Sequence, residues 1–341
     1  MFRIVDDWYI LCRSDRVSSK PLRTLLFGTP LVVFRDGKGN AGVLLDRCPH
    51  RNAPLSLGSL RGDNLQCAYH GWQFDTKGEC RFAAGIAADR ITKACHATAY
   101  PVREQQGFVW VYASSGSIPE REPYVFPMYD DQRYTTVSRE LHAEASVLAV
   151  AENALDVPHT AYLHGGLFRT STLERREIEV ILKHNSGFVQ AEYLGERRPT
   201  GLAAWLLAPG GGEVTHFDRF VLPSICQVEY RLGEKTHMLV TSALTPVDED
   251  QTTLHVVLTF RLPIPGWIAV PILRPLFLKI FLQDAAMLRH QTGNIRRFGG
   301  EQFASIEADL LGPHIRRLLK LAESGERVGS REEVQRKRIW I

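Results

Sequence analysis

Across the first third of the chain, short apolar runs alternate with glycine-bearing turns, a pattern that predicts strands. Leu31-Val-Val-Phe34, Gly42-Val-Leu-Leu45 and Phe108-Val-Trp-Val-Tyr112 are such runs, divided by Asp36-Gly37, Lys38-Gly39 and Lys77-Gly78. Ser114-Ser-Gly-Ser-Ile-Pro-Glu-Arg-Glu-Pro123 is the most linker-like segment, so one domain is expected over 1–115 and a second over 116–341. The second part predicts a strand over 134–144, a helical or irregular segment near 147–164, and strands around 177–195, 214–230, 236–245 and 252–261. Amphipathic helices are expected at about 276–297 and 303–322. This order gives an α+β fold class: an N-terminal all-β domain, then an antiparallel sheet with C-terminal helices packed on one side.

Composition narrows the function classes. The 341 residues carry 41 − 38 = +3 charges and are 44% hydrophobic, which excludes a disordered chain and is too weakly basic to imply a nucleic-acid partner. The acidic N-terminus does not read as a secretory signal, so a reducing cytoplasm is expected, with the six cysteines as thiols or metal ligands. The most apolar run, between Arg261 and Arg274, is interrupted by Pro263, Pro265 and Pro271, and falls short of the ~20 residues of a spanning helix. A stretch touching one leaflet, or lining an apolar pocket, stays open, and the basic Arg336-Lys-Arg-Ile-Trp-Ile341 segment reads as a solvated tail that could assist such docking.

Two constellations carry chemistry. Cys48-Pro-His50 and Cys67-Ala-Tyr-His70 form Cys-x-His, sixteen residues, Cys-x-x-His, each half beside turn residues between predicted strands. Two thiolates and two imidazoles divided in this way suit the [2Fe–2S] centre in which histidines replace cysteines on one iron. A structural zinc site is the rival, but its ligand pairs are usually two to four residues apart, and Cys-x-His has one. Cys12, Cys80, Cys95 and Cys226 are isolated and read as small buried hydrophobes.

The second constellation is Glu152-Asn-Ala-Leu-Asp156-Val-Pro-His159-Thr-Ala-Tyr-Leu-His164-Gly-Gly166. On an unbroken helix His159 and His164 would point about 140° apart. Pro158 and Gly165-Gly166 supply breaks that could let them converge; otherwise both are ordinary satisfied histidines. Asp156 lies three residues before His159, placed to accept the proton of the ring nitrogen not bound to metal. A carboxylate would complete the facial triad of a non-haem iron oxygenase. Asp284 is the only charge on a stripe of Phe277, Ile280, Phe281, Met287 and Leu288, where an unpaired carboxylate is costly. A structural salt bridge is the alternative for Asp284; Glu307 and Asp309 are rival ligands.

Arg47-Cys-Pro-His-Arg51 and Tyr69-His-Gly-Trp72 resemble the loops of a Rieske domain over roughly residues 8–113, with Ala68 where proline is common. Neither loop carries the extra cysteine of the respiratory-complex type. With the Asp-x-x-His-x4-His element and the later Asp in Gln283-Asp-Ala-Ala-Met-Leu-Arg-His-Gln291, the chain resembles, over nearly its whole length, the oxygenase component (α-subunit) of Rieske non-haem iron oxygenases, in the compact monooxygenase and demethylase branch.

The resemblance implies a [2Fe–2S] cluster on Cys48, His50, Cys67 and His70, and mononuclear Fe(II) on His159, His164 and Asp284. It further implies a helix-grip (START-like) catalytic domain. Assembly as a head-to-tail homotrimer follows from it too, with Asp156 bridging one subunit's cluster, through His70, to His159 of the next. No dinucleotide fingerprint is present, so electrons from NAD(P)H must arrive through a separate reductase or ferredoxin, to be used with O2. The apolar stretch 262–282 favours a bulky hydrophobic substrate, such as a sterol or another polycycle, hydroxylated or demethylated, with possible peripheral membrane contact. O- or N-demethylation of small aromatic compounds is the alternative, although no obvious carboxylate-binding arginine stands out. A pure Rieske electron carrier is the alternative from another class.

Overall fold

The computed structural model describes residues 2–164, 177–195, 214–233, 235–326 and 332–340. The expected break at Gly165-Gly166 lies outside them. The chain divides into two compact units, Arg3–Val125 and Phe126–Ile341.

The first unit is all β. Strands β1 (Trp8–Arg13), β2 (Leu22–Leu26), β3 (Thr29–Arg35), β4 (Ala41–Leu45), β5 (Ser59–Arg61) and β6 (Asn64–Gln66) precede β7 (Gln73–Phe74), β8 (Cys80–Phe82), β9 (Ala99–Tyr100), β10 (Val102–Gln105) and β11 (Phe108–Tyr112). They form three antiparallel sheets, ordered β1-β11-β10, β2-β3-β4-β9 and β5-β6-β7-β8. The predicted apolar runs fall on β3, β4 and β11, where Leu31, Val32, Val33, Phe34, Val43, Leu44 and Phe108 to Tyr112 are buried.

The second unit is one eight-stranded antiparallel sheet, ordered β12-β18-β17-β16-β15-β14-β13-β19. Its strands are β12 (Thr135–Ala143), β13 (Glu177–His184), β14 (Phe188–Leu194), β15 (Val214–Val221), β16 (Ile225–Leu232), β17 (Thr236–Pro246), β18 (Thr252–Arg261) and β19 (Glu333–Trp340). Helices α1 (Val147–Ala154), α2 (His159–Leu163), α3 (Gly266–Arg297) and α4 (Gly312–Glu323) complete it. The expected strands 177–195 and 214–230 each resolve differently. The first is a hairpin turned at Asn185, whose side chain accepts from the N–H of Gly187 and Phe188. The second is β15 followed by β16 after a short turn.

Three expectations are corrected. Residues 333–340 are not a solvated tail but edge strand β19, paired along β13 with Ile339 buried. Alternating charges on it read as polar, yet charge is how edge strands avoid further pairing. The last amphipathic helix begins at Gly312, not near 303. Finally, α3 begins at Gly266 and runs 32 residues, so a helix long and apolar enough to cross a membrane does exist, with only 11% of its apolar window buried. Its prolines were misread as breaks. Pro265 precedes the first turn, where its missing N–H costs nothing, and Pro271 and Pro275 lie on the exposed side, where water can satisfy the freed carbonyls.

The two faces of the large sheet differ. On β16, Cys226, Val228, Tyr230 and Leu232 face an apolar cavity under α3, while Gln227, Glu229 and Arg231 face the other side. There Glu229, nearly fully buried, accepts from His237 Nε2 at 3.0 Å, Arg219 at 2.6 Å and Arg231 at 2.8 Å. Burial opposes its charge, but these donors outweigh burial and hold its pKa at about 2, below the ordinary 4.5. A depressed carboxyl pKa contributes stability above the unfolded value that is lost as pH falls toward the folded one. Glu229→Gln is therefore expected to be about 3 kcal/mol less stable at neutral pH, the deficit shrinking between pH 4.5 and about 2. Urea unfolding across that window checks it; a pH-independent deficit would contradict the assignment.

Candidate metal centres

The four Rieske-type ligands sit on two matching loops. Cys48 and His50 follow β4; Cys67 and His70 follow β6. In each loop the cysteine N–H donates to a carbonyl five residues on, Cys48 to Ala53 and Cys67 to Trp72, at 2.8 and 2.7 Å. In each, the residue four positions on returns a bond to the cysteine carbonyl: Asn52 at 2.9 Å and Gly71 at 3.1 Å. Both of these residues are left-handed, with φ of 59° and 70°. Asparagine and glycine are the residues that tolerate this conformation, so each loop closes around its ligands without a disulfide.

The donor set fits the cluster. The Cys48 and Cys67 side chains are in mutual contact, and the His50 and His70 rings lie 4.6 Å apart, so thiols pair with thiol and imidazole with imidazole. As a bare thiol Cys48 is pushed up to about 11, first by burial and then by Cys67, an environment that a bound metal relieves by taking the thiolate. The buried Nδ1 of His50 has no hydrogen-bond partner, as a ligand nitrogen should, and its ring stacks on Trp72 at 4.7 Å. His70 is exposed. Of the remaining cysteines, Cys12, Cys80 and Cys226 are buried and Cys95 is half-buried, all as free thiols.

In the second unit, one donor atom from each of His159, His164 and Asp284 falls within 4.8 Å of the others, the one such cluster among the described residues. The convergence has a local cause. Helix α2 ends at Leu163 and His164 adopts φ −107°, ψ 29°, so its ring leaves the direction a continued helix would impose. Nε2 of His164 lies 3.1 Å and Nε2 of His159 3.5 Å from Asp284 Oδ1.

The opposite ring nitrogens are held as well. Asp156 Oδ2 is 3.4 Å from His159 Nδ1, which also contacts the Asp156 backbone carbonyl. His164 Nδ1 donates to Gln283 Oε1 at 3.0 Å, and Asn153 Nδ2 donates to Asp284 at 3.4 Å. Each imidazole thus presents Nε2 to the shared point, as a metal-ligating histidine does. Burial opposes charging of His159, but Asp156 and Asp284 outweigh it and raise its pKa to about 9. This electrostatic field favours a cation. Two bridging polar groups, Gln283 and Asn153, were missed by sequence reading; the only local signal was the Glu152-Asn153 lead-in to Asp156. Glu307 and Asp309, the rival ligands, are not in the triad.

The triad closes one end of a cavity of about 340 Å³. Phe277, Ile280, Phe281 and Leu288 of the expected stripe line it with Asp284, whereas Met287 points elsewhere, half exposed. Arg139, from β12, also lines it, an arginine that the sequence did not single out.

Comparison with known proteins supplies the remaining evidence. Residues 7–99 match the Rieske [2Fe–2S] domain family, and 143–324 match the vanillate O-demethylase oxygenase C-terminal domain. The oxygenase component of dicamba O-demethylase from Stenotrophomonas maltophilia is 33% identical over 54% of each chain, so that alignment spans about half of the relative. The vanillate O-demethylase oxygenase subunit of Pseudomonas sp. (strain HR199 / DSM 7063) is 22% identical over 92% of both. In fold, the chain is similar to dicamba monooxygenase bound to 3,6-dichlorosalicylic acid, with a TM-score of 0.80 over 95% of this chain and 98% of that one, at 24% identity. With a Rieske domain, a C-terminal oxygenase domain matched over more than half of the chain, and two histidines and a carboxylate gathered as a candidate iron site, the chain belongs to the Rieske non-haem iron oxygenases, as an oxygenase component carrying a [2Fe–2S] cluster and mononuclear iron.

Proposed function

We propose that this oxygenase uses O2, and NAD(P)H electrons delivered by a separate reductase or ferredoxin, to hydroxylate or oxidatively demethylate a bulky, largely apolar compound of the sterol or polycycle class. The shape of the cavity carries this reading. Leu254, Val256, Leu258 and Phe260 of β18 all line it, a run of roughly 20 Å at strand spacing. Val270 to Asp284 of α3 roof the same length. Asp284, His159 and His164 stand at one end; Leu232, Met238, Phe260 and Leu273 pack at the other. An elongated apolar slot with its reactive centre at one end suits a rigid, flat hydrocarbon skeleton presenting one terminal methyl or methylene group.

Within the site, His159, His164 and Asp284 would hold the iron, and Cys48, His50, Cys67 and His70 the cluster. Iron so bound, with open positions, supplies O2 activation, and the cluster supplies single electrons. The protein's own part is orientation. Asp156 and Gln283 fix the two imidazoles, Asn153 steadies the carboxylate, and the cavity walls exclude water while holding the substrate's carbon near the triad. Gln283→Leu leaves the His164 ring unanchored and is expected to weaken iron binding about 10- to 100-fold, measured by competition with a chelator. Unchanged affinity would remove Gln283 from the site.

A second reading, demethylation of a small aromatic acid, is favoured by Arg139, which lines the slot and has no ion-pair partner among the described residues. The relatives named for dicamba and vanillate support it. Binding to the iron-loaded protein separates the two. A saturable spectral change at the iron with sterols, but not with vanillate-like acids, carries the first reading, and the reverse pattern sinks it. Arg139→Met should leave neutral polycycles unaffected and cost an acid at least about tenfold in affinity, the loss of a charge-assisted bond.

A further inference from the structure

Helix α3 faces two ways. Its inner side lines the cavity; its outer side presents Trp267, 78% exposed, with Ile268, Ile272 and Leu282 and the exposed Pro271 and Pro275. Positions 267, 268, 271, 272, 275, 279 and 282 share one face at helical spacing. From Gly266 to Gln283 there is no aspartate or glutamate; of the two charges, Arg274 is at the cavity's edge and lines it, and Lys279 is on the outer face. Exposed tryptophan and branched aliphatics, with a lysine among them and no anion, make up the face of a helix that lies in the interface of an anionic bilayer.

We propose that the outer face of α3 docks this oxygenase onto an anionic lipid bilayer. Trp267, Ile268, Ile272 and Leu282 enter the boundary between headgroups and acyl chains, and Lys279 meets the lipid phosphates. The helix lies on the membrane instead of crossing it. It carries Asp284 and roofs the cavity, and its start is pressed against β12 so closely that a Cβ on Gly266 would fall 2.0 Å from Thr135 Oγ1. Crossing would unroof the cavity and remove an iron ligand. Docked this way, the roof of the cavity is in contact with lipid, which lets an apolar substrate pass from the bilayer to the slot without entering water; this last step rests on the apolar-substrate reading, while the docking itself does not.

Cosedimentation of the full metal-loaded chain with phosphatidylcholine vesicles, with and without phosphatidylglycerol, tests the docking. The protein should sediment with the anionic vesicles, Lys279→Gln should reduce partitioning about fivefold, and Ile272→Glu with Leu282→Glu should keep the chain in the supernatant. None of these three side chains lines the cavity, so substrate binding to the variants should match the parent. Absence of sedimentation with either vesicle, or sedimentation of the double variant like the parent, overturns the proposal. Light scattering that shows the double variant dissociating an oligomer, with no vesicle binding by the parent, would assign the face to a second copy of the chain. Failure of the substrate reading alone would appear in the binding screen and leave vesicle partitioning untouched.

Discussion

Asp284→Ala is expected to abolish turnover and empty the mononuclear iron site while leaving the cluster intact. Both histidine Nε2 atoms converge on Asp284 Oδ1, so its removal leaves two neutral ligands and no charge to balance a dication. The candidate cluster ligands belong to the Arg3–Val125 unit, whereas Asp284 belongs to the other. Iron and acid-labile sulfide should therefore fall from about three and two per chain to about two and two, the cluster alone, with its visible absorbance unchanged. The variant should still fold, because a carboxylate on an otherwise apolar stripe is a desolvation cost that only the metal and the histidines offset. A variant that keeps its third iron and its activity would move the ligand elsewhere.

The second large effect is expected from Asp156→Asn, which should retain both metals and accept electrons into the cluster, yet fail to pass them on. Asp156 contacts His159 of the candidate iron centre, and its side chain is 38% exposed. Of the two candidate cluster histidines, His70 is exposed while His50 is half-buried against Trp72. In a head-to-tail trimer, which we propose from the family resemblance, His70 of one subunit would meet Asp156 of the next. Asparagine keeps the shape but not the charge or the double acceptor that links two ring N–H groups. Stopped-flow reoxidation of the reduced cluster, with substrate and O2 present, gives the answer: a fast phase in the variant would refute the bridge, and a stalled cluster beside a fully loaded iron site would support it.

The candidate metal ligands were legible because such chemistry restricts residue type and spacing. Cys-x-His with Cys-x-x-His, and a single charge on an apolar stripe, needed no tertiary knowledge. What positions those ligands was less so. His159 and His164 converge because α2 unwinds at His164, and Gln283 reaches His164 across 119 positions of sequence; neither leaves a local trace. The long reach of α3 was hidden by prolines that a solvent-facing helix side tolerates, and β19 by charges that suit a sheet edge. Arg139 gave no signal for the same reason: on a strand, only the register with β18 decides which side chain faces the slot.

The two-sided strand β16 has a consequence for how this enzyme can change. Its even-numbered positions, 226 to 232, line the cavity, and its odd-numbered neighbours hold the buried polar network around Glu229. Selectivity and robustness are thereby interleaved residue by residue, yet separable. A directed-evolution library confined to Val228, Tyr230 and Val240 can reshape what is accepted while the network that keeps the sheet folded is left unaltered, and a stabilisation campaign on the odd positions can proceed without disturbing selectivity.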